Sequence, residues 1–165
     1  MKIKKSLIAS IAIILIVGFG GYYLLQLKQA PYPVASFVSI SYKWGVGDTL
    51  ANAYDSQTGI YRYLDRNDSL RIGNVKLNTN SLIYLHNKAN EAGLWELPDV
   101  VDLKGEGNVD SVLRYEMVFT YEQKTKKISF YANSLDAQLQ DKISKLQQIV
   151  AQTIQEAEER NPTFK

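Results

Sequence analysis

The sequence predicts an α+β domain: an antiparallel sheet of about six strands with a long C-terminal helix packed on one face, preceded by a single transmembrane helix. Three observations carry this expectation. Between Val34 and Phe130, apolar and polar residues alternate over several short segments, the period of half-buried strands. From Leu135 to Ala157 apolar residues recur at three- and four-residue steps, the period of an amphipathic helix. Ahead of both, the twenty-two residues from Ser6 to Leu27 carry no charge. Runs of strands segregated from helices indicate α+β.

The uncharged run comes first. As a helix it would cover roughly 33 Å, close to the roughly 30 Å hydrocarbon core of a bilayer. Lys2, Lys4 and Lys5 stand on one flank and Lys28 alone follows closely on the other. That asymmetry places the N-terminus inside and the remaining chain outside the cytoplasm. Tyr22 and Tyr23 suit the outer headgroup region. The expected location is the inner membrane of the cell, single-pass, with an extracytoplasmic C-terminal domain. The alternative is a cleaved signal peptide, with Leu7 to Val17 as its apolar run and Gly18-Phe19-Gly20 near the cut, leaving a secreted or periplasmic protein. The apolar character resumes at Tyr22-Tyr23-Leu24-Leu25 and no Ala-x-Ala ends it, which favours a retained anchor. With no cysteine in the chain, a lipoprotein anchor is excluded. The expected layout is an anchor over 1–29, a juncture over 30–33 set by Pro31-Tyr32-Pro33, and a domain over 34–165.

Within the domain, Val38, Ile40, Tyr42 and Trp44 alternate with polar residues and predict a first strand, ended by a turn at Gly45-Val46-Gly47-Asp48. Thr49 to Tyr54, Ile60 to Leu64 and Ser69 to Leu77 follow as strands, separated by Asp55 to Gly59 and Asp65 to Asp68, and complete a four-strand meander. Asn80 is the expected cap of a helix with Leu82, Leu85, His86 and Ala89 on its inner face, and Gly93 ends it. Leu94, Trp95 and Leu97 are expected to fold back on the sheet before Pro98. Asp99 to Asp110 reads as a polar loop. Tyr115, Met117, Phe119 and Tyr121 form one apolar face of a long strand, and a lysine-rich turn over Gln123 to Lys127 leads into Ile128 and Phe130. Ser134 then caps a helix over about 135–159.

Charge belongs mostly to the anchor. Of nineteen lysines and arginines, four are Lys2, Lys4, Lys5 and Lys28, so the exported part holds fifteen against seventeen carboxylates and is near −2. Nucleic-acid binding is therefore not expected. The absence of cysteine also removes disulfides, thiolate nucleophiles and sulfur-ligated metals. No G-x-S-x-G, S-x-x-K, H-E-x-x-H or P-loop occurs, so no catalytic residues and no cofactor are assigned. His86, the single histidine, reads as a partly buried structural residue, since no local carboxylate partners it. The acidic loop over Asp99 to Asp110 fails as a calcium loop: aligned from Asp102, Lys104 and Leu113 fall where oxygen ligands are needed. No metal site is assigned.

Eleven tyrosines are the compositional excess. Tyr42, Trp44, Tyr61 and Tyr63 are the candidate ligand-binding residues: flat rings stack on sugars or extended peptides, and the glycines beside Trp44 permit close approach. Cross-strand aromatic packing explains the same residues without a ligand. Tyr61 and Tyr63, two apart, share one face of their strand.

The stretch Tyr84-Leu85-His86-Asn87-Lys88-Ala89, followed by Gly93-Leu94-Trp95-Glu96-Leu97-Pro98, resembles uncharacterised bacterial membrane-anchored envelope domains. Asn52-Ala53-Tyr54-Asp55 and Gly59-Ile60-Tyr61 extend the likeness over most of the exported part. The resemblance implies an anchor before a compact α+β domain closed by a C-terminal helix; it implies no activity and no site residue. The expected function is a tethered module whose partners are the lipid bilayer, through Ser6–Leu27, and an envelope protein or extended ligand. Two alternatives are a hydrolase of envelope polymers, using paired carboxylates among Asp48, Asp55, Asp65, Asp68 and Glu116 with His86 as a further candidate, and an inhibitor or immunity protein. The sequence leaves the oligomeric state open.

Overall fold

The computed structural model describes residues 13–21, 32–47, 49–101, 111–132 and 137–160. The chain divides into two units, Met1–Pro31 and Tyr32–Lys165. In the first, residues 13–21 are helical and Ile13, Ile14, Leu15, Ile16, Val17 and Phe19 expose their side chains. The rest of the predicted span Ser6–Leu27, its lysine flanks and Tyr22-Tyr23 lie outside the described residues. Among the described residues, no helix is long and apolar enough to cross a membrane.

The second unit is α+β. A 3-10 turn at Val34–Ser36 leads into β1 (Phe37–Val46), followed by β2 (Asn52–Asp55), β3 (Ile60–Leu64) and β4 (Leu70–Asn74). Helix α1 (Thr79–Glu91) precedes β5 (Val100–Val101), β6 (Leu113–Tyr121) and β7 (Thr125–Tyr131), and α2 (Ala137–Arg160) follows. One seven-stranded open sheet results, in the order β4-β3-β2-β1-β6-β7-β5. All pairings are antiparallel except β5 with β7. The meander thus forms as the turn residues predict, and β6 docks on the other side of β1, with Ile40 opposite Phe119 and Tyr42 opposite Met117.

Side-chain alternation gives the sheet two unlike faces. Ile40, Tyr42, Tyr54, Met117, Phe119, Tyr121, Ile128 and Phe130 are buried on one face beneath the helices. There α1 contributes Leu85 and Ala89, and α2 contributes Ile143, Leu146, Val150, Ile154 and Ala157. Helix α2 is a half-buried amphipathic element whose long polar face remains in water, as its periodicity requires. The other face of the sheet carries a charged ladder in which Glu116 pairs with Lys43 at 3.5 Å and Lys127 at 2.6 Å. Burial alone would raise the Glu116 carboxyl; the lysines outweigh it and hold the group below its usual range.

Several boundaries differ from expectation, each for a local reason. Strand β1 runs through Gly45 and Val46, which pair with Arg114 and Leu113, so the turn begins only at Gly47 (φ 63°). Gly45 has a distinct role: a Cβ there would lie 2.1 Å from the Thr49 carbonyl oxygen, because the returning chain crosses over it. The cap of α1 is Asn78, not Asn80; its Oδ1 accepts from the Ser81 amide at 2.8 Å. Gly93 (φ 73°) ends the α1 segment in the left-handed region as predicted, and Leu94 and Leu97 are buried. The predicted loop over Asp99 to Asp110 contains a seventh strand: Val100 and Val101 pair in parallel with Ser129 and Phe130. Residues 102–110 and 133–136, including the predicted cap Ser134, lie outside the described residues.

The lysine-rich segment over Gln123 to Lys127 is also corrected. The turn covers 122–124, and Lys126 and Lys127 belong to β7. Lys126 lies on the core face opposite Phe119, and its buried stem carries Nζ to the Leu97 carbonyl and to Asp99 Oδ1, 2.6 Å away. It thereby clamps the segment that delivers β5, and β7 is not an edge.

Candidate functional site: an aromatic cleft under the C-terminal helix

The four aromatic candidates come together. Tyr42, Trp44, Tyr61 and Tyr63 line one cleft of about 610 Å³, with Leu113 and Tyr115 from β6 and Gln147, Ala151, Ile154, Gln155, Glu158 and Glu159 from α2. The volume falls within the roughly 300–1,000 Å³ typical of ligand sites. The geometry follows from the ladder. Trp44 lies opposite Tyr115 and Tyr42 opposite Tyr54, which in turn opposes Tyr61. Four neighbouring strands, β3, β2, β1 and β6, therefore bring their rings to the helical face.

The rings are not equivalent. Tyr42 forms the floor: it is 3 % exposed, stacks on Trp44 at 4.7 Å, and its hydroxyl accepts from Gln147 Nε2 at 2.6 Å. Burial pushes its phenol well above the usual range. Tyr54 lies outside the cleft, fully buried, and donates to the Val75 carbonyl at 3.0 Å. Trp44, Tyr61, Tyr63 and Tyr115 are half-buried and form the walls. Tyr61 meets Trp44 at 6.1 Å and Tyr63 at 5.2 Å between centroids.

Electrostatically the cleft is one-sided. Glu158 and Glu159 stand on its rim, and among the described residues none that lines it is a lysine or arginine. Partial burial raises the Glu158 carboxyl above its usual range, with the neighbouring Glu159 charge adding to the effect. Burial, and after it the Glu158 charge, pushes the Tyr61 phenol up to about 12. Glu159 accepts from Gln155 Nε2 at 2.9 Å. Sequence reasoning missed Tyr115, Gln147, Glu158 and Glu159. For Tyr115 the signal was its place on the apolar face of β6 with Met117 and Phe119; for Glu158 it was the period of α2, since Glu158 follows the buried Ala157 and lies four residues beyond Ile154, at the margin of the apolar stripe.

The carboxylates considered for hydrolysis serve elsewhere. Asp55 Oδ1 accepts from the Gln57 and Thr58 amides, and Asp65 accepts from the Asn67 and Ser69 amides and from Arg71. Asp68 occupies a turn position with φ 54°, and Glu116 belongs to the ladder on the opposite face. None of these four lines the cleft. Asp48 lies outside the described residues. His86 is buried on α1. Asn90 Nδ2 donates to its Nε2 at 3.0 Å, so Nδ1 carries the proton and donates to the Tyr121 hydroxyl at 3.0 Å. Burial lowers its pKa and keeps it neutral. Asp99, the first member of the acidic loop, is held by Lys126, and no cluster of three potential metal ligands occurs among the described residues. No protein-family model, curated protein or solved structure matches the chain.

Proposed function

We propose that the chain is a tethered extracytoplasmic binding module, held at the inner membrane by Ser6–Leu27, whose aromatic cleft receives an extended ligand of the cell envelope. One observation carries the binding role: four half-buried rings line a cleft between the sheet and α2, where further apolar packing could have closed the core. Aromatic side chains tolerate this position because each combines a large apolar body with a polar tip. The tether rests on the uncharged run and its lysine asymmetry, and the resemblance to anchored envelope domains agrees with it.

A photoreactive residue at Tyr63, on the cleft wall, tests the reading in cells producing the full chain. A discrete crosslinked product from Tyr63, and none from Ile72 on the opposite face, is expected. Equal labelling from both faces, or none from Tyr63, would remove the binding role. In the same cells detergent, and not carbonate or salt, should release the protein from membranes. A mature form beginning near Gly21 in the soluble fraction would overturn the tether and leave the cleft untouched.

A further inference from the structure

The cleft shows an imbalance that a neutral ligand does not resolve. Glu158 is partly withdrawn from water against Tyr61, and neither it nor Glu159 forms an ion pair with a lysine or arginine among the described residues. Removing a carboxylate from water is costly unless a partner compensates. Around it stand the rings of Trp44, Tyr61, Tyr63 and Tyr115, whose faces carry negative quadrupole potential. A positive group satisfies both features at once, through cation–π attraction to the rings and ion pairing at the rim.

Resting on the reading of the cleft as an extended-ligand site, we propose that its ligand is an extended polypeptide segment that inserts a lysine or arginine side chain between the aromatic walls and Glu158. The methylene stem of such a side chain lies along the rings while its head reaches the carboxylate at the rim. Tyr42 is the floor and does not engage the cation directly, since its hydroxyl is held by Gln147. Partial burial and the neighbouring Glu159 charge raise the Glu158 carboxyl, and a cationic head beside it would offset both effects. A neutral sugar could stack on the same walls, but it would leave this charge desolvated and uncompensated.

The two tryptophans make the cleft observable, because Trp44 lines it and Trp95 does not. Full-length protein in detergent, with 15N-labelled indoles, is titrated with pentalysine, pentaarginine, pentaglutamine, pentaglutamate and tri-N-acetylglucosamine. A Trp95→Phe variant assigns the signals. The expected result is a saturable shift of the Trp44 indole with pentalysine or pentaarginine, weakened by added salt and weakened about five- to tenfold by Glu158→Gln. That loss is the size of charge-assisted contacts near a surface. Pentaglutamate should leave the signal unmoved.

The inference is overturned if neither cationic peptide shifts Trp44 saturably, if Glu158→Gln binds them unchanged, or if pentaglutamine binds as tightly. A response confined to pentaglutamine or the sugar keeps the extended-ligand reading and discards the cation. Silence from every probe, together with no crosslink at Tyr63, discards both.

Discussion

Tyr42 is where packing and binding can be separated by measurement. Replacing it with alanine removes a ring that is 3 % exposed, stacked on Trp44 and joined to α2 through Gln147. Truncation of a buried aromatic costs about 3–5 kcal/mol. For a unit the size of residues 32–165, each kcal/mol lowers Tm by about 3–4 °C, so Tyr42→Ala should melt some 10–18 °C lower. Tyr42→Phe keeps the ring and removes only the acceptor of the Gln147 bond, and should cost about 1 kcal/mol, near 3–4 °C. Tyr63→Ala deletes a wall ring packed on Tyr61 and should cost about 1–2 kcal/mol. Calorimetry or thermal circular dichroism of the three variants gives the ranking. If Tyr42→Ala and Tyr63→Ala melt at the same temperature, the division into floor and walls is wrong. The entire cleft would then be either ordinary core or ordinary surface.

Two further outcomes follow from buried polar contacts. His86 is held neutral in the fold with its pKa lowered by burial, and a second proton on Nε2 would face the donor amide of Asn90. The unfolded chain therefore binds more protons below about pH 6.5, so the stability this group provides is present above that value and lost as pH falls toward its folded pKa. Tm measured from pH 8 to 5 should fall less steeply in His86→Gln than in the natural sequence; parallel curves would contradict the assignment. Lys126→Met removes the clamp on Leu97 and Asp99. Amide exchange at Val101 and Ser129 should then accelerate roughly tenfold or more, with Met117 and Phe119 unchanged, and uniform exchange would show that β5 needs no clamp.

What the sequence made legible was whatever depends on one segment at a time. The meander announced itself through turn residues: Asp55 and Asp65 each satisfy the amides of the turn they begin. The helices announced themselves through period, and α1 through Gly93. What escaped was set between segments. A two-residue strand at Val100-Val101 has no period of its own and exists because Lys126 holds the preceding residues against β7. Lys126 itself looked like a turn residue, since composition cannot show that a lysine's head will find a carbonyl and a carboxylate within a core face. In the candidate site, Tyr61 and Tyr63 were assigned to one face by their spacing alone. Glu158, nearly a hundred residues away, entered through tertiary contact, which no local pattern encodes.

The position of the cleft has a cause in the relative widths of the two layers. Buried core residues are found on β1, β2, β5, β6 and β7 and on both helices, while β4 supplies none and β3 only packs against the cluster through Tyr61. On β4, Arg71, which pairs with Tyr63 and so shares the helical face, is exposed. The sheet therefore runs past the cover that α1 and α2 provide, and the residues along that margin must be stable half in water. Aliphatic side chains there would be an exposed apolar liability. Tyr61 and Tyr63 on β3 meet the requirement, Trp44 and Tyr115 join them in the cleft from β1 and β6, and the C-terminal turns of α2 bring Glu158 and Glu159 to the same cleft. The chemistry of the cleft is thus the chemistry of an uncovered edge of the core. A ligand that fits it must complete the core with its apolar stem and meet the rim with its charge.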